Sequence, residues 1–255
     1  FFRAEAWADE VEFWTATLRR HPEEPSMSAV GLGRLFSREG SFDRALRLFE
    51  LASDPGMDCE ELARNNAATV LLATGRYAEA AHILRQLAVQ HPNTTSTFVN
   101  LAVAESYLGR FKTARAALDR TLELAPHDEG AKQLRDRLPE LVMMRHELDA
   151  SAAAMPLLLR ARLESNLGLS HEALESYRSL LAASDVTPQL AEEAAWLALR
   201  KGDAVTRMAF MTSYSAVAGQ SADTRLQLAY TLHVETLAKL DNAWPTLVSR
   251  GTSGS

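Results

Sequence analysis

The chain has 255 residues, which is enough for one large core or for a stack of small units. Its formal net charge of −6 argues against nucleic acid as the main partner, and a single cysteine excludes a disulfide framework. Alanine, leucine, arginine and glutamate dominate while valine and isoleucine are sparse, which favours helix over strand, and no apolar run is long enough for direct membrane insertion.

The first predicted element is an amphipathic helix in "WADEVEFWTATLRRHPEEP", which begins at Trp7. Trp7, Val11, Trp14 and Leu18 recur at helical spacing, so they share one face of the helix. Pro22 cannot continue a helix and should end it. We therefore predict that residues 1–25 form an N-terminal half-repeat, or capping helix, whose aromatic residues pack on the structure that follows.

From residue 26 to residue 128, one helix-pair pattern occurs three times. The second and third copies lie 34 residues apart, and the first lies 35 residues before the second. The shared positions are Gly40, Gly75 and Gly109; Phe42, Tyr77 and Phe111; Ala45, Ala80 and Ala114; Phe49, Leu84 and Leu118; and the closing Pro92 and Pro126. Such a period indicates stacked repeats. The predicted units are 26–60, 61–94 and 95–128.

Each position of this pattern has a physical reason. Gly33, Ala68 and Ala102 share one position of the first helix, where a small side chain lets a neighbour come close. A glycine then ends the first helix because it tolerates positive φ. We expect the aromatic residue two places later to fill the space between the two helices. One helix pair cannot bury its apolar faces alone, whereas a stack of pairs can.

This pattern resembles the tetratricopeptide repeat over residues 26–128, although Ala29, Arg64 and Phe98 stand where that family usually has a tryptophan. The resemblance implies an all-α fold, namely a right-handed α-solenoid of antiparallel helix pairs (a tetratricopeptide superhelix). We expect roughly five repeats plus extra helices. In that family, ligands commonly lie on the concave face that the first helices line.

The repeat register changes after residue 128, because the next well-placed glycine, Gly168, lies 59 residues after Gly109. The intervening sequence at 129–153 is strongly helical. We predict an inserted segment of one or two helices there. Pro139 is expected to open the second helix at its first turn, where its missing N–H does no harm.

Two degenerate repeats are predicted over residues 154–220. Their markers are Gly168, Ala173 and Tyr177 in the first, and Trp196, Gly202 and Ala204 in the second. A C-terminal capping helix is expected at 221–248, so that the last apolar face of the stack is covered. The composition of 249–255 predicts a flexible tail.

Three short motifs with possible chemistry lack the residues that the chemistry requires. The sequence "HELDA" at 146–150 begins like a zinc-protease helix, but Ala150 stands where the second histidine would have to be. The "GLG" at 31–33 lacks the third glycine and the preceding strand of a phosphate-binding loop. The Ser-His pair at 170–171 has no orienting acid or oxyanion donor specified. We therefore predict no catalytic, metal or cofactor site in this segment.

The resemblance implies that the inward positions of the first helices are the candidate partner-binding residues. The nine candidates are Val30, Arg34, Arg38, Asn65, Thr69, Leu72, Val99, Val103 and Tyr107. Only Asn65 among these positions suits the family's carboxylate clamp, so binding of a chaperone tail is not expected. A peptide or helix could lie in the groove, with Asn65 bonding its backbone and Arg34 or Arg38 meeting an acidic group.

These observations predict a non-enzymatic interaction scaffold that holds a protein or peptide in its concave groove. Two alternatives stay open. Residues 1–25 resemble the junction before the C-terminal repeats of multispanning glycosyltransferase-like membrane proteins, so the chain could be the soluble tail of a membrane enzyme, tethered to a preceding transmembrane segment that ends at Phe1 and Phe2. The alanine-rich units at 188–242 could instead form a homo-oligomer. The sequence leaves the compartment open: it is cytoplasmic, or periplasmic or membrane-associated if the segment follows a transmembrane helix.

Overall fold

The computed structural model describes residues 4–21, 26–54, 58–151, 154–182 and 186–218, together with 223, 226–227, 229–231, 233–234 and 238. These residues lie in helices, turns and loops, and none of them lies in a strand. The helices are α1 (Ala4–Arg20), α2 (Ser26–Arg38), α3 (Phe42–Leu51), α4 (Glu60–Ala73), α5 (Tyr77–Gln90), α6 (Thr95–Tyr107), α7 (Phe111–Leu124), α8 (Glu129–Ser151), α9 (Leu157–Asn166), α10 (Ser170–Leu181), α11 (Pro188–Lys201) and α12 (Ala204–Ala218).

The helices follow one another in pairs. The five pairs are α2–α3, α4–α5, α6–α7, α9–α10 and α11–α12, and α1 and α8 lie outside them. The two helices pack against each other in α2–α3, α6–α7, α9–α10 and α11–α12, and α5 also packs against α6. The described part of the chain is thus all-α and built from consecutive helix pairs with extra helices, as the sequence predicted.

Glycines with positive φ end the first helix of most pairs. They are Gly40, Gly75, Gly109 and Gly168. At the first of them, the N–H of Ser41 donates to the carbonyl of Phe36 at 2.8 Å and the N–H of Gly40 donates to that of Ser37 at 3.1 Å. The equivalent two bonds are present at Gly109. This left-handed cap satisfies the carbonyls that the helix end would otherwise leave without partners.

The small residues predicted to lie at close helix crossings are fully buried. They are Ala45, Ala68, Ala80, Ala102 and Ala114. Gly33 is packed even more closely, because a Cβ there would lie 2.6 Å from the ring of Phe49. The aromatic residues after the turns differ among themselves: Tyr77 is buried, whereas Phe42 and Phe111 are half-buried. Of the three, Tyr77 fills the inter-helix space most completely.

The inserted segment is one helix, so the expectation that Pro139 opens a second helix is wrong. α8 runs without a break from Glu129 to Ser151 and contains Pro139. Asp128 precedes the helix and caps its first turn, because its Oδ1 accepts the N–H of Ala131 at 2.9 Å. Pro139 removes one backbone hydrogen bond, but it lies on the exposed side of the helix. Water can therefore satisfy the carbonyl that loses its partner.

The first helix packs its predicted face against the first pair. Val11 and Leu18 of α1 are buried, and a Cβ on Gly31 of α2 would lie 2.3 Å from the ring of Trp14. Phe1, Phe2 and Pro22 fall outside the described residues. So does the predicted tail at 249–255. Within the predicted capping helix at 221–248, Asp223 is not helical, and the described positions from 226 to 238 are all helical.

The chain divides into two compact units. The first unit joins Phe1–Ala67 to Thr187–Ser255, and the second unit is Ala68–Val186. Early and late helix pairs therefore pack together inside the first unit, a grouping that the sequence repeats did not reveal. None of the helices among the described residues is both long and apolar enough to cross a bilayer.

Candidate partner-binding surface

In the first unit, the inward positions of α2 and of the start of α4 include two exposed apolar side chains. Met27 and Leu62 hold equivalent positions of consecutive repeats and are 52% and 45% exposed. Val30 and Asn65, which the sequence placed on the same inward face, are buried. A partner lying on this face would not reach the buried pair, so its apolar contacts would come from Met27 and Leu62.

Two arginines extend this surface toward the end of α2. Arg34 is exposed and forms no ion pair with any described residue. The Arg38 Nη2 lies 3.1 Å from the Glu10 Oε2 of α1, in an exposed pair. Because a guanidinium binds a carboxylate through two parallel hydrogen bonds, Arg34 is the inward side chain best placed to recognise an acidic group.

In the second unit, the inward face carries an uncharged strip. Thr69 is exposed, and its Oγ1 accepts a long hydrogen bond of 3.4 Å from the Nδ2 of Asn100. Leu72, Val99 and Val103 are half-buried. These four candidates share a small or apolar character, so this strip fits an apolar segment of a partner better than a charged one.

Tyr107, the last predicted candidate, makes contacts with other residues of the second unit. Its ring centroid lies 4.9 Å from that of Tyr77, and a Cβ on Gly168 would approach its hydroxyl to 2.8 Å. Its carbonyl accepts a hydrogen bond of 3.0 Å from Arg145 of α8. Burial raises the pKa of the Tyr107 hydroxyl, and the charge of Glu172 adds to this shift. The turn between α9 and α10 therefore covers the end of the strip where a partner was expected to meet Tyr107.

The same turn is fixed by a hydrogen bond to the second repeat. The Tyr77 hydroxyl donates to the Glu172 Oε2 at 2.7 Å, across 95 positions of sequence. Burial is the main reason that the pKa of Tyr77 is strongly raised, and the hydrogen bond and charge of Glu172 reinforce it. His171 lies beside Gly75, where a Cβ would approach its side chain to 3.1 Å. These contacts hold the α9–α10 turn against the α4–α5 turn.

In the first unit, a buried polar cluster lies beside the Gly40 turn, as the contact of Tyr77 with Glu172 lies beside the Gly75 turn in the second unit. The Glu39 Oε2 lies 2.6 Å from the Nδ1 of His233 and 4.0 Å from the Nη1 of Arg207. Arg207 also donates to two carbonyls, to that of Gly202 through Nε and to that of Arg38 through Nη2, each at 2.9 Å. All three charged or polar side chains are buried. Burial lowers the pKa of Arg207, while the charges of Glu39 and Asp203 oppose the shift.

Sequence reasoning missed these turn-to-turn clusters. Each lies just beside a glycine turn that the repeat pattern located, but its partners come from helices far along the chain. The one usable indication was Arg207, the only charged residue in the apolar stretch of α12. A lone charge in such a stretch commonly has a buried partner, although the sequence does not name it.

The described residues contain no group of three side chains placed to bind a metal ion. The Ser170 hydroxyl donates to the carbonyl of Gly168 at 3.3 Å, while the neighbouring His171 is exposed. Cys59 is buried, with its Sγ 4.0 Å from the sulfur of Met27. The contacts described for Ser170 and Cys59 are with neighbouring groups of the fold, and they do not place a nucleophile beside a base.

Paired helices with glycine turns, stacked by small residues, define the class of α-solenoid repeat proteins. Residues 65–129 match the family described as Tetratricopeptide repeat, which confirms the sequence resemblance over this part of the chain. This fold points to a protein–protein interaction scaffold. No curated protein matches the chain.

Two solved structures are similar to this chain at low sequence identity. A tetratricopeptide repeat protein from Parabacteroides merdae ATCC 43184 is 14% identical, with a TM-score of 0.44 over 88% of this chain and 91% of the other. Yeast Tom70 is also 14% identical, with a TM-score of 0.41 over 84% of this chain and 55% of the other. The assignment of the repeats rests on the family match over residues 65–129 and not on these two structures.

Proposed function

We propose that this protein is a non-enzymatic scaffold that binds a peptide or helix of a partner protein on the inward face of its first helices. The observation that carries the proposal is the combination of Met27 and Leu62 with Arg34 in the first unit. Two exposed apolar side chains at equivalent repeat positions lie on the same face as an arginine without an ion pair to a described residue. Apolar anchors beside a guanidinium are typical of surfaces that bind proteins.

The charges of this face favour a particular kind of ligand. The inward positions of α2 comprise Met27, Val30, Arg34, Ser37 and Arg38, and none is acidic. The chain as a whole has a net charge of −6, so the end of α2 that carries Arg34 and Arg38 differs in the sign of its charge from the average surface. We therefore favour a partner segment that presents an apolar side chain to Met27 and Leu62 and a carboxylate to Arg34.

The helix pair formed by α2 and α3 offers a matched test of this proposal. Arg34 lies on the first helix, and Arg47 lies on the second; both are exposed. Partners would be captured from the source cells on the purified chain, and the affinity of one purified partner would then be measured by calorimetry. We expect Arg34→Glu to weaken binding by at least about tenfold, because it puts a carboxylate opposite a carboxylate. Arg47→Glu makes the same charge change on the other helix and should bind as the wild type does.

Apolar contact can be tested separately by Met27→Asp and Leu62→Asp. Each change should weaken the same partner, since an apolar anchor is replaced by a hydrated charge. Equal affinities for the wild type, Arg34→Glu and Met27→Asp would show that the partner binds elsewhere, and the inward face would lose its assigned role.

A further inference from the structure

The first helix of the last pair, α11, carries a tryptophan at an inward position. Trp196 lies six residues before Gly202, as Arg34 of α2 lies six residues before Gly40. The repeat register therefore puts Trp196 on the face of α11 that corresponds to the face of α2 with Arg34. The inward surface of the first unit thus includes α11 as well as α2 and the start of α4.

Trp196 lies beside the packing side of α11 and not in it. The buried residues of α11 are Ala191, Ala194, Ala195, Leu197 and Ala198. Four of these five are alanines, so close packing of small side chains forms the core of this helix. Trp196 is half-buried. A large aromatic ring that stays partly in contact with water is typical of residues that anchor a partner protein.

The ends of α2 and α11 carry basic side chains and no acidic one. The last eight residues of α2 contain Arg34 and Arg38, and the last eight residues of α11 contain Arg200 and Lys201. Arg34, Arg200 and Lys201 are exposed, and none of these three forms an ion pair with a described residue. In a chain with a net charge of −6, such a group of cations marks a surface that attracts an anionic ligand.

The two helix ends are held together within the first unit. The N–H of Ala204 donates to the carbonyl of Gly40 at 3.2 Å, and the Arg207 Nη2 donates to the carbonyl of Arg38 at 2.9 Å. The Arg207 Nε donates to the carbonyl of Gly202, which caps the end of α11, at 2.9 Å. Because one guanidinium binds carbonyls at the ends of both helices, the basic ends of α2 and α11 meet at Arg207.

The acidic side chains next to these helix ends are bonded within the fold. Glu39 is buried in the cluster with Arg207. The Asp203 Oδ1 accepts the N–H of Thr206 at 2.6 Å, and Glu10 of α1 pairs with an arginine of α2. The exposed cations of the two helix ends are therefore available to a carboxylate from another molecule.

We propose that Trp196 and Arg200 form the second half of the partner-binding surface, so that an acidic segment of a partner protein crosses from the inward face of α2 to that of α11. Carboxylates of the segment bind Arg34 and Arg200, and an apolar side chain lies on the ring of Trp196. This inference rests on the proposed binding at the α2 face. It adds a second helix and an aromatic anchor to that site.

The helix geometry sets the length of the segment. Arg34 and Trp196 each lie six residues from the glycine that follows their helix, which corresponds to about 9 Å along the helix axis. A segment that reaches both side chains across the meeting point spans up to about 18 Å, or roughly six extended residues. A short linear stretch of a partner is therefore long enough.

An acidic protein segment fits this surface better than a nucleic acid or an anionic membrane does. Nucleic acids and anionic membranes bind through arrays of phosphate contacts and favour basic proteins, whereas this chain has a net charge of −6. Met27 and Leu62, the exposed apolar residues of the same inward surface, suit apolar side chains of a peptide. The surface thus offers both contacts that an acidic, partly apolar segment needs.

Peptide display on the purified full chain tests the proposal with a defined probe. Random peptides long enough to reach both helices should yield sequences that combine acidic residues with an aromatic or long aliphatic residue, within roughly six positions. The affinity of one selected peptide would be measured by fluorescence anisotropy, beside that of a single-stranded oligonucleotide. Selected peptides without acidic residues, or tighter binding of the oligonucleotide, would overturn the proposal.

Substitutions on α11 then test its contribution. Arg200→Glu should weaken the selected peptide at least about tenfold, because a carboxylate would oppose a carboxylate. Trp196→Ala should weaken it by a similar factor, and Trp196→Phe should keep most of the affinity because a ring remains. Arg115→Glu is the matched control: Arg115 of α7 is exposed and forms no ion pair with a described residue, so this variant should bind as the wild type does.

A charge-reversed peptide separates direct contact from a general effect of the substitution. The selected peptide with lysine in place of its acidic residues should bind Arg200→Glu more tightly than it binds the wild type. Circular dichroism should show the wild-type helix content in every variant.

The failure of this inference can be told apart from the failure of the proposed function. If Arg34→Glu weakens the selected peptide while Arg200→Glu and Trp196→Ala bind it as Arg115→Glu does, α11 makes no contact with the ligand, and only the proposed function stands. If Arg34→Glu also binds as the wild type does, the proposed function fails as well.

Discussion

The turn at Gly40 and the turn at Gly109 have the same backbone and different surroundings. Both glycines adopt a positive φ, of 75° and 71°, and both end a first helix through the same pair of hydrogen bonds. At Gly40 a Cβ would lie 2.9 Å from the carbonyl oxygen of Gly202 and from the N atom of Ala204. At Gly109 no described atom lies within 4 Å of that position. One repeat turn is thus a packing surface, and the other faces open space.

The buried glutamates beside these two turns differ in how far along the sequence their hydrogen-bond and ion-pair partners lie. Glu105 is fully buried before Gly109, and Arg85 of the preceding repeat donates to its Oε1 through Nε at 2.8 Å. Glu39, which directly precedes Gly40, has its partners late in the sequence, at Arg207 and His233. The repeat motif alone therefore determines how a turn is made, while long-range packing determines what the turn contacts.

Removing the distant counter-charge should have the largest effect on stability. We expect Arg207→Ala to lower the free energy of unfolding by about 3–5 kcal/mol, because Glu39 would stay buried without the guanidinium. The matched change at the other turn is Arg110→Ala. Arg110 is 53% exposed and lies 3.7 Å from Glu105, so its loss should cost only about 0–1 kcal/mol. Urea unfolding measures both, and equal losses would contradict the distinction between the two turns.

A smaller effect is expected at the aromatic contact of the second unit. Tyr77→Phe removes the hydrogen bond to Glu172 and should cost about 1–2 kcal/mol in urea unfolding at neutral pH. A Phe variant as stable as the wild type would show that this bond does not hold the α9–α10 turn.

The same tyrosine predicts a pH dependence. Its pKa is raised above the ordinary value of 10.0, so the folded protein holds this proton more tightly than the unfolded chain does. The resulting stability is fully present below about pH 10 and is lost as the pH rises above it. The wild type should therefore lose stability more steeply than Tyr77→Phe on the alkaline side. Parallel alkaline slopes for the two proteins would refute the assignment.

The smallest effect is expected at an exposed charge pair at the first turn of helix α5. Arg76 donates to Glu79 through Nε at 2.7 Å and through Nη2 at 2.6 Å, just after the Gly75 turn. The hydrogen bond with Arg76 lowers the pKa of Glu79, but more than half of the Glu79 side chain is exposed to water. We expect Glu79→Gln to leave the thermal midpoint unchanged between pH 4 and pH 8 because solvent screens the pair. A clear drop in the midpoint would show that local ion pairs also contribute to the turn.

The repeats themselves could be predicted because their determinants are local. A glycine, an aromatic residue and an alanine at fixed spacing specify a helix end, a turn and a close crossing, and the structure has Gly40, Gly75 and Gly109 at positive φ with the predicted alanines buried. The same logic failed at Pro139. Pro139 lies inside α8 on its exposed side, where water can satisfy the carbonyl that loses its partner, and the local sequence does not specify that exposure.

The candidate surface was harder to predict than the fold. Inward positions follow from the repeat register, but burial depends on what packs over each position. Val30 and Asn65 are buried, and Tyr107 lies against the α9–α10 turn, which comes from helices far along the sequence. Arg34, Met27 and Leu62 are exposed.

The most direct test of the long-range packing compares Gly40→Ala with Gly109→Ala in urea unfolding. Both changes force an L side chain into a positive φ, which costs about 1–2 kcal/mol in each case. Only at Gly40 does the new methyl group meet the backbone of residues 202–204, and such overpacking adds about 1–3 kcal/mol. We predict that Gly40→Ala loses at least about 1 kcal/mol more than Gly109→Ala. Equal losses would mean that the late helix pair does not pack on the first repeat.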